Sequence, residues 1–319
     1  MRLSYPISAR SVVRRVGVEP TRLAALEPKS SASADSATFA RKSAIKTTYY
    51  ILRVSVGHYE NFPVASLLLP KRLRWPVAVI YAFARSADDF ADEGEDAPEV
   101  RLAKLEAYRT ELNRIASRTS PQTPLFHDVA QVVQQHDLPL DAFHHLLDAF
   151  SQDVIKTRYA SFAEVLDYCR RSANPVGRLL LHLFKRTHET ALHQSDNICT
   201  SLQLINFWQD VALDWRKGRV YLPQDEMQSF GVREGHLAEQ RCDAAWRALM
   251  KFQCDRTSEL MHQGAPLGRV LAGRLGLEIR ITVQGGLRIL EKLRQAGYDA
   301  FRRRPLLRWH DWPLLLWRA

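Results

Sequence analysis

Apolar residues recur every three or four positions through most of the chain between residues 58 and 296, and this spacing predicts helices. Strand signals, such as alternating Val, Ile and Thr or Asn-Gly hairpins, are few in this part of the sequence. Pro76 is expected in the first turn of its helix, and Ser195 with Asp196 is expected to cap another. We predict a single all-α domain, a bundle of roughly ten helices that can hold a site in its interior. The predicted helices are 76–92, 97–118, 139–152, 161–173, 195–214, 236–263 and 267–296.

The two ends of the chain differ from this body in charge. The net charge of +10 divides into +7 for residues 1–57, −2 for residues 58–287 and +5 for residues 288–319. A near-neutral body does not favour nucleic-acid binding. Residues 1–45 are rich in Ser, Ala and Arg without an apolar period, so we predict a disordered extension or a start codon placed too far upstream. The helical domain is then expected at 46–300.

The last segment, 301–319, is basic and rich in tryptophan. Arg302, Arg303 and Arg304 precede Trp309, Trp312 and Trp317. Such a segment either rests at a membrane interface or packs on the core of its own domain. No apolar run approaches the roughly 18 residues of a membrane span. The four cysteines have no paired spacing, which is typical of buried thiols in a reducing compartment. We predict a cytoplasmic protein, with peripheral contact at the inner face of the cytoplasmic membrane as an open alternative.

Two acidic rows lie inside apolar helical sequence. The first contains Asp88 and Asp92, and the second contains Asn206, Asp210 and Asp214, each at a spacing of four. This spacing puts the side chains of a row on one helix face, where like charges repel. The cost is offset if divalent cations lie between the rows, because Mg²⁺ binds a few carboxylates together with water and substrate phosphate oxygens. The two rows therefore predict a clamp for a diphosphate, with solvated helix ends or plain salt bridges as the alternative.

Cationic side chains follow or precede these rows closely enough to help bind a diphosphate. Arg85 lies three residues before Asp88, and Lys217 and Arg219 follow the second row directly. Arginine is well suited to phosphate oxygens because its planar fork donates two parallel hydrogen bonds. Gln203 lies three residues before Asn206 and is a further substrate-binding candidate.

Several segments resemble the squalene/phytoene synthase family of head-to-head prenyl synthases. They cover about 58–290 and are HYENFP, YAFARSADDFAD, Tyr168-Cys169, NFWQDVALDW and KGRVYLP, in the family's order. The resemblance implies an isoprenoid-synthase-like helical bundle with a central cavity. It also implies Mg²⁺ held by Asp88 and Asp92 on one side and by Asn206, Asp210 and Asp214 on the other. A prenyl diphosphate would then be bound by Arg85, Lys217, Arg219, Tyr221 and, from the early segment, His58.

Ionisation of such a substrate leaves a carbocation, which an aromatic ring stabilises without acting as a base. The candidates for this lining are Phe62, Tyr81, Tyr168 and Phe207, and each is equally at home in an ordinary core. Tyr81 and Tyr168 are favoured because family motifs coincide with them.

Within the family, the motifs are most similar to the hopanoid-pathway branch named hydroxysqualene synthase, which implies conversion of presqualene diphosphate to hydroxysqualene. Asn61, Asn174 and Gln209 stand where the wider family usually has other residues, and we predict that they position the water that captures the cation. No nucleotide-binding glycine motif follows a strand, although reductases of this family bind NADPH without one. On the strength of the three substitutions, water capture is preferred over reduction by NADPH. The alternatives are squalene, presqualene diphosphate or phytoene synthesis from two prenyl diphosphates, a non-catalytic scaffold or assembly relative, and a membrane- or nucleic-acid-binding module.

Overall fold

The structure of the protein is a computed structural model that describes residues 69–92, 96–271 and 273–319. His58, Asn61, Phe62 and the extension predicted at 1–45 lie outside the described residues. The helices of the first half are α1 (Lys71–Asp92), α2 (Pro98–Ala116), α3 (Pro124–His136), α4 (Leu140–Ile155), α5 (Phe162–Ser172) and α6 (Asn174–Leu183). The second half contains α7 (Glu189–Arg216), α8 (Gln224–Ser229), α9 (Glu234–Ala238), α10 (Ala244–Gly264), α11 (Leu267–Val270), α12 (Gly273–Gln295), a 3₁₀ turn (Trp309–Asp311) and α13 (Trp312–Arg318).

The predicted all-α class is confirmed, since the described residues form helices and no strand. One isolated parallel bridge between Arg158 and Val220 interrupts the helical pattern within this described part. None of the described helices has the length and apolar content that a membrane crossing requires.

The bundle has two hydrophobic cores that share helices α4 and α6. One core is built mainly from α1 to α4 and centres on aromatic residues such as Phe83, Phe126 and Phe143. The other surrounds the long helix α7, with α5, α10 and α12 packed around it and Trp208 and Trp246 fully buried. Since α1 belongs to the first core and α7 to the second, the two acidic rows come from different halves of the bundle.

Two predicted helix starts are wrong. Helix α1 begins at Lys71, so Pro76 lies inside it, where its missing N–H costs one hydrogen bond near the N-terminus. The buried side chain of Leu73 extends the apolar face by a turn and offsets that loss. Helix α7 begins at Glu189, so Ser195 is a buried interior residue and Asp196 pairs with Arg178 instead of capping.

Two predicted long helices are each divided. The segment 236–263 contains the end of α9 and then α10, which starts after Asp243, whose carboxylate accepts a hydrogen bond from the Trp246 N–H. The segment 267–296 contains α11 and α12, and Gly273 adopts a positive φ of 67° at the start of α12. Helices α3 and α6 were not among the predicted elements.

Candidate active site

The first acidic row closes the C-terminal end of α1. Arg85 Nη1 lies 3.1 Å from Asp88 Oδ2, and its Nη2 lies 2.6 Å from Asp89 Oδ1. Burial raises the pKa of Asp88 to about 7, and the neighbouring Asp92 carboxylate adds to the effect. Asp88 therefore holds its proton more readily than an ordinary aspartate, although an arginine lies beside it.

The segment after α7 reaches across to the first row. Lys217 Nζ lies 2.9 Å from Asp92 Oδ2, and Arg219 Nη1 lies 2.5 Å from Asp92 Oδ1. Burial alone would raise the pKa of Asp92, but Arg219 and Lys217 outweigh it and hold the pKa below its ordinary value. Lys217 and Arg219, which directly follow the second row in sequence, thus bind a carboxylate of the first row and link the two rows.

A glycine turn at the end of α7 produces this approach. Gly218 has a φ of 77°, and the Arg219 N–H donates to the Asp214 carbonyl while the Gly218 N–H donates to the Trp215 carbonyl. This is the Schellman pattern, which reverses the chain immediately after a helix. Because the chain reverses, Arg219 points back toward the carboxylates.

Asp153, in the last turn of α4, adjoins the predicted site residues but was not among the residues predicted from the sequence. The Tyr168 hydroxyl donates to its Oδ2 at 2.6 Å, the Tyr221 hydroxyl donates to its Oδ1 at 3.4 Å, and Arg219 donates to its carbonyl oxygen at 3.1 Å. Burial raises the pKa of Asp153 to about 6, against the lowering effect of the Tyr168 hydrogen bond. A buried carboxylate at the end of an apolar helix was the available signal, and the predicted helix 139–152 stopped one residue short of it.

An aromatic wall adjoins these charges. The rings of Phe207 and Tyr221 stack with centroids 3.8 Å apart and an interplanar angle of 7°. Tyr168 lies 5.9 Å from each of these two rings, and Tyr159 completes the group. A small cavity beside this wall is lined by Phe207, Val211, Asp214, Arg219, Val220, Tyr221, Leu222 and Leu237. Aromatic faces and ionic groups therefore meet in one place.

The three side chains of the second row differ in exposure and in the groups that surround them. Asn206 is exposed. The guanidinium group of Arg304 donates to both carboxylate oxygens of Asp210, with Nη2 3.0 Å from Oδ2. Burial, followed by the nearby Asp210 carboxylate, raises the pKa of Asp214 to about 7, and Asp92 also contributes to the rise. The influence of Asp92 on Asp214 indicates that the two rows share one electrostatic environment.

The remaining described candidates lie around this centre. Tyr81 and Gln203 are half-buried on α1 and α7. Asn174 is buried and accepts a hydrogen bond from the Thr200 hydroxyl at 2.9 Å. Gln209 is buried and donates to the Pro305 carbonyl at 2.6 Å, so this amide group is engaged with the C-terminal segment. The proposed water-positioning role of Asn174 and Gln209 stays a prediction.

A glycine allows Asn174 to reach α7. A Cβ atom at Gly177 would overlap the Ser195 hydroxyl and lie 2.6 Å from Cys199 Sγ. Helices α6 and α7 consequently pack with almost no side chain between them at this point.

Comparison with known proteins identifies the family. The squalene/phytoene synthase profile matches residues 56–311, most of the chain. The chain belongs to the squalene/phytoene synthase family. This match confirms the resemblance drawn from the sequence motifs. The family consists of synthases that act on prenyl diphosphates.

Individual squalene/phytoene synthase relatives carry different names. The chain is 34% identical over 230 residues to the hydroxysqualene synthase of Zymomonas mobilis, covering 70% of this chain and 76% of that protein. It is 33% identical over 270 residues to the phytoene synthase of Thermus thermophilus, covering 84% and 91%. The crystal structure of squalene synthase HpnC from Alicyclobacillus acidocaldarius superposes with a TM-score of 0.73 at 33% identity, covering 79% and 95%.

The acidic rows of this family member offer a donor set that suits Mg²⁺. Among the described residues, no three acidic, histidine or cysteine side chains already converge on one metal-sized position. The donors are nevertheless carboxylate oxygens, the ligands Mg²⁺ prefers. Burial and other carboxylates raise the pKa of Asp88 and of Asp214 to about 7, and a bound cation would lower both pKa values.

Proposed function

We propose that this protein converts presqualene diphosphate to hydroxysqualene with release of diphosphate, in a reaction that depends on Mg²⁺. The observation that carries the proposal is the bridge from Asp92 to Lys217 and Arg219, because it joins the two acidic rows beside an aromatic wall. A diphosphate needs both cations and metal-binding oxygens at one point.

The residues that would hold Mg²⁺ are Asp88, Asp92, Asn206, Asp210 and Asp214. When bound, the metal supplies Lewis-acid stabilisation of the negative charge that develops on the departing diphosphate. Arg85, Lys217 and Arg219 bind diphosphate oxygens with charge-assisted hydrogen bonds. We propose that substrate binding loosens the Asp92 contacts of Lys217 and Arg219, so that the same cations turn to the diphosphate.

The aromatic wall then faces the cation left by departure of the diphosphate. Phe207 and Tyr168 offer ring faces, and the Tyr168 ring is held in place by the hydrogen bond that its hydroxyl donates to Asp153. Water adds to the carbocation, and the oxonium proton passes to the released diphosphate, which gives the alcohol. Asn174, with its amide oxygen held by Thr200, is proposed to orient that water through its remaining amide N–H groups.

Product analysis tests this function. The purified full chain is incubated with Mg²⁺ and presqualene diphosphate, with and without NADPH, and the released lipid is identified. We expect hydroxysqualene in both incubations and no turnover after chelation of the metal, with recovery when Mg²⁺ is restored. Squalene formed only with NADPH would contradict water capture, and full activity under chelation would contradict the metal.

A second function, condensation of two prenyl diphosphates, is favoured by the extensive match to phytoene synthase. It predicts turnover of farnesyl or geranylgeranyl diphosphate supplied alone. A non-catalytic scaffold role predicts no product from any of these substrates. The substrate and product proposed here are both lipids, so we also propose that the protein works against the inner face of the cytoplasmic membrane.

A further inference from the structure

The solvent-facing side of the C-terminal segment is apolar where a typical surface helix is polar. In α13, Leu315 is fully buried, whereas Trp312, Leu316 and Trp317 are 38%, 55% and 83% exposed. Trp309, in the preceding 3₁₀ turn, is 84% exposed. Trp312 and Leu316 are four residues apart and share a helix face, and Trp309 and Trp317 lie close to them in the chain, so the segment presents an exposed apolar patch.

The exposed charged side chains of the C-terminal segment itself have one sign. Residues 301–319 contain five arginines and one acidic residue, Asp311. Asp311 is 1% exposed and is engaged by Arg288 and Lys292 of α12. Arg302, Arg303 and Arg308 are exposed, and Arg318 pairs with Glu291. Arginines of the segment thus remain at the surface, whereas the carboxylate of Asp311 is buried and paired with cations of α12.

The segment is held firmly to the rest of the protein. Besides the Asp311 contacts, Lys292 donates to the Leu306 carbonyl, and Phe301 packs on Trp246 with ring centroids 4.4 Å apart. Gln209 and Asp210 of α7 bind Pro305 and Arg304. The apolar patch is therefore presented in a fixed orientation and is not a loose tail.

We infer that the surface formed by Trp309, Trp312, Leu316 and Trp317 with Arg303 and Arg308 docks on an anionic lipid bilayer. Tryptophan rings favour the headgroup level of a membrane, and arginines beside them are attracted to anionic lipids. A second protein copy would bring a like-charged surface against this one, whereas an anionic bilayer complements it. The inference is independent of which prenyl diphosphate the enzyme uses.

Vesicle sedimentation with the full chain tests the docking surface directly. Vesicles contain phosphatidylcholine with or without phosphatidylglycerol, at about 0.1 M and about 1 M salt, where the screening length falls from about 10 Å to about 3 Å. We expect binding to the anionic vesicles at low salt, a blue shift of tryptophan emission on binding, and a marked loss of binding at high salt.

Paired variants locate the contact. R303Q/R308Q is expected to weaken partition about 25-fold, at roughly fivefold for each arginine near an anionic surface. W309A/W317A is expected to abolish the blue shift and most of the binding. The matched control R186Q/R247Q removes two exposed arginines elsewhere and is expected to bind as wild type. Unchanged thermal unfolding of all variants establishes that they are folded.

Several outcomes would overturn the inference. Wild-type binding by W309A/W317A would place the contact elsewhere, for example in the basic residues 1–57. Equal affinity for neutral and anionic vesicles would remove the role of charge. A dimer that W309A/W317A dissociates, without vesicle binding by the wild type, would assign the patch to a second copy.

Discussion

The two acidic rows have the same spacing but are neutralised from different directions. In the first row, Asp92 is held by Lys217 and Arg219, which come from the segment just after the other row. In the second row, Asp210 is held by Arg304 of the C-terminal segment. Each row also contains a carboxylate whose pKa rises to about 7, Asp88 in the first and Asp214 in the second. The comparison shows that Asp92 and Asp210 are held by cations from other segments, whereas the pKa stays raised at Asp214 and, despite its contact with Arg85, at Asp88.

This difference indicates where additional positive charge would bind. The pKa values of Asp88 and Asp214 stay raised although Arg85 contacts Asp88, so a divalent cation gains most beside these two acids.

Removal of charge from the salt-bridged acid should have the largest effect. Asp92→Asn is expected to lower kcat on the order of 10³-fold, because it removes both a proposed metal ligand and the anchor of two diphosphate-binding cations. The measurement is diphosphate release from presqualene diphosphate at saturating Mg²⁺. Asp255→Asn is the matched control, since Asp255 is likewise held by a lysine and an arginine but lies outside the site. Similar losses in the two variants would refute a special role for Asp92.

The buried acid Asp153 should make stability depend on pH. Its folded-state pKa of about 6 lies above the ordinary 3.8, so the folded protein prefers the protonated form. The contribution of Asp153 to the free energy of unfolding is fully present below about pH 4. It declines as the pH rises through about 6, by up to about 3 kcal/mol at pH 8.

Asp153→Asn should remove this part of the pH dependence, because the amide cannot ionise. The free energy of unfolding is measured in denaturant from pH 4 to pH 8 in the absence of metal. The difference between variant and wild type must grow with pH in favour of the variant. A parallel pair of curves would show that Asp153 does not titrate in this range.

The two bridging cations should contribute unequally. The Arg219 side chain is 12% exposed and also binds the Asp153 carbonyl, whereas that of Lys217 is 53% exposed. We expect Arg219→Gln to lower kcat/KM about 100-fold and Lys217→Gln by less than about tenfold. Steady-state kinetics on the same substrate make the comparison, and each variant controls for the other. A larger loss from Lys217→Gln would reverse the assignment of the principal diphosphate ligand.

The pairing of the second row with the C-terminal segment should have the smallest effect. Arg304→Gln is expected to lower the free energy of unfolding by about 1 kcal/mol, as for a partly exposed ion pair. Arg302→Gln removes an arginine whose side chain is 71% exposed and whose Nη1 lies as far as 4.0 Å from Asp299 Oδ2. This change should therefore alter stability little. Denaturant unfolding distinguishes them. Equal effects would show that the Arg304–Asp210 contact does not stabilise the segment.

The parts of the site that the sequence predicted are local in the chain. Spacing by four residues placed Asp210 one turn before Asp214, and the cations were recognised because they follow within a few residues. The helical class was equally readable from the periodicity of apolar residues. These properties depend on helix geometry alone, which acts over a few positions.

The missed features depend on residues far apart in the chain. Asp153 acts through Tyr168 and Tyr221, which are 15 and 68 residues away, and Arg304 lies 94 residues from Asp210. Tertiary packing determines these contacts, and no local spacing encodes them. The start of α7 was misplaced for a related reason. Ser195 has the chemistry of a cap, but its small side chain is required against Gly177.

The tight seam at Gly177 also constrains how descendants of this protein can diverge. A methyl group at position 177 would collide with the hydroxyl of Ser195 and the thiol of Cys199, so both side chains would have to turn aside or become smaller to admit it. We therefore expect a residue larger than glycine at position 177 only in homologues whose residues 195 and 199 leave room for it.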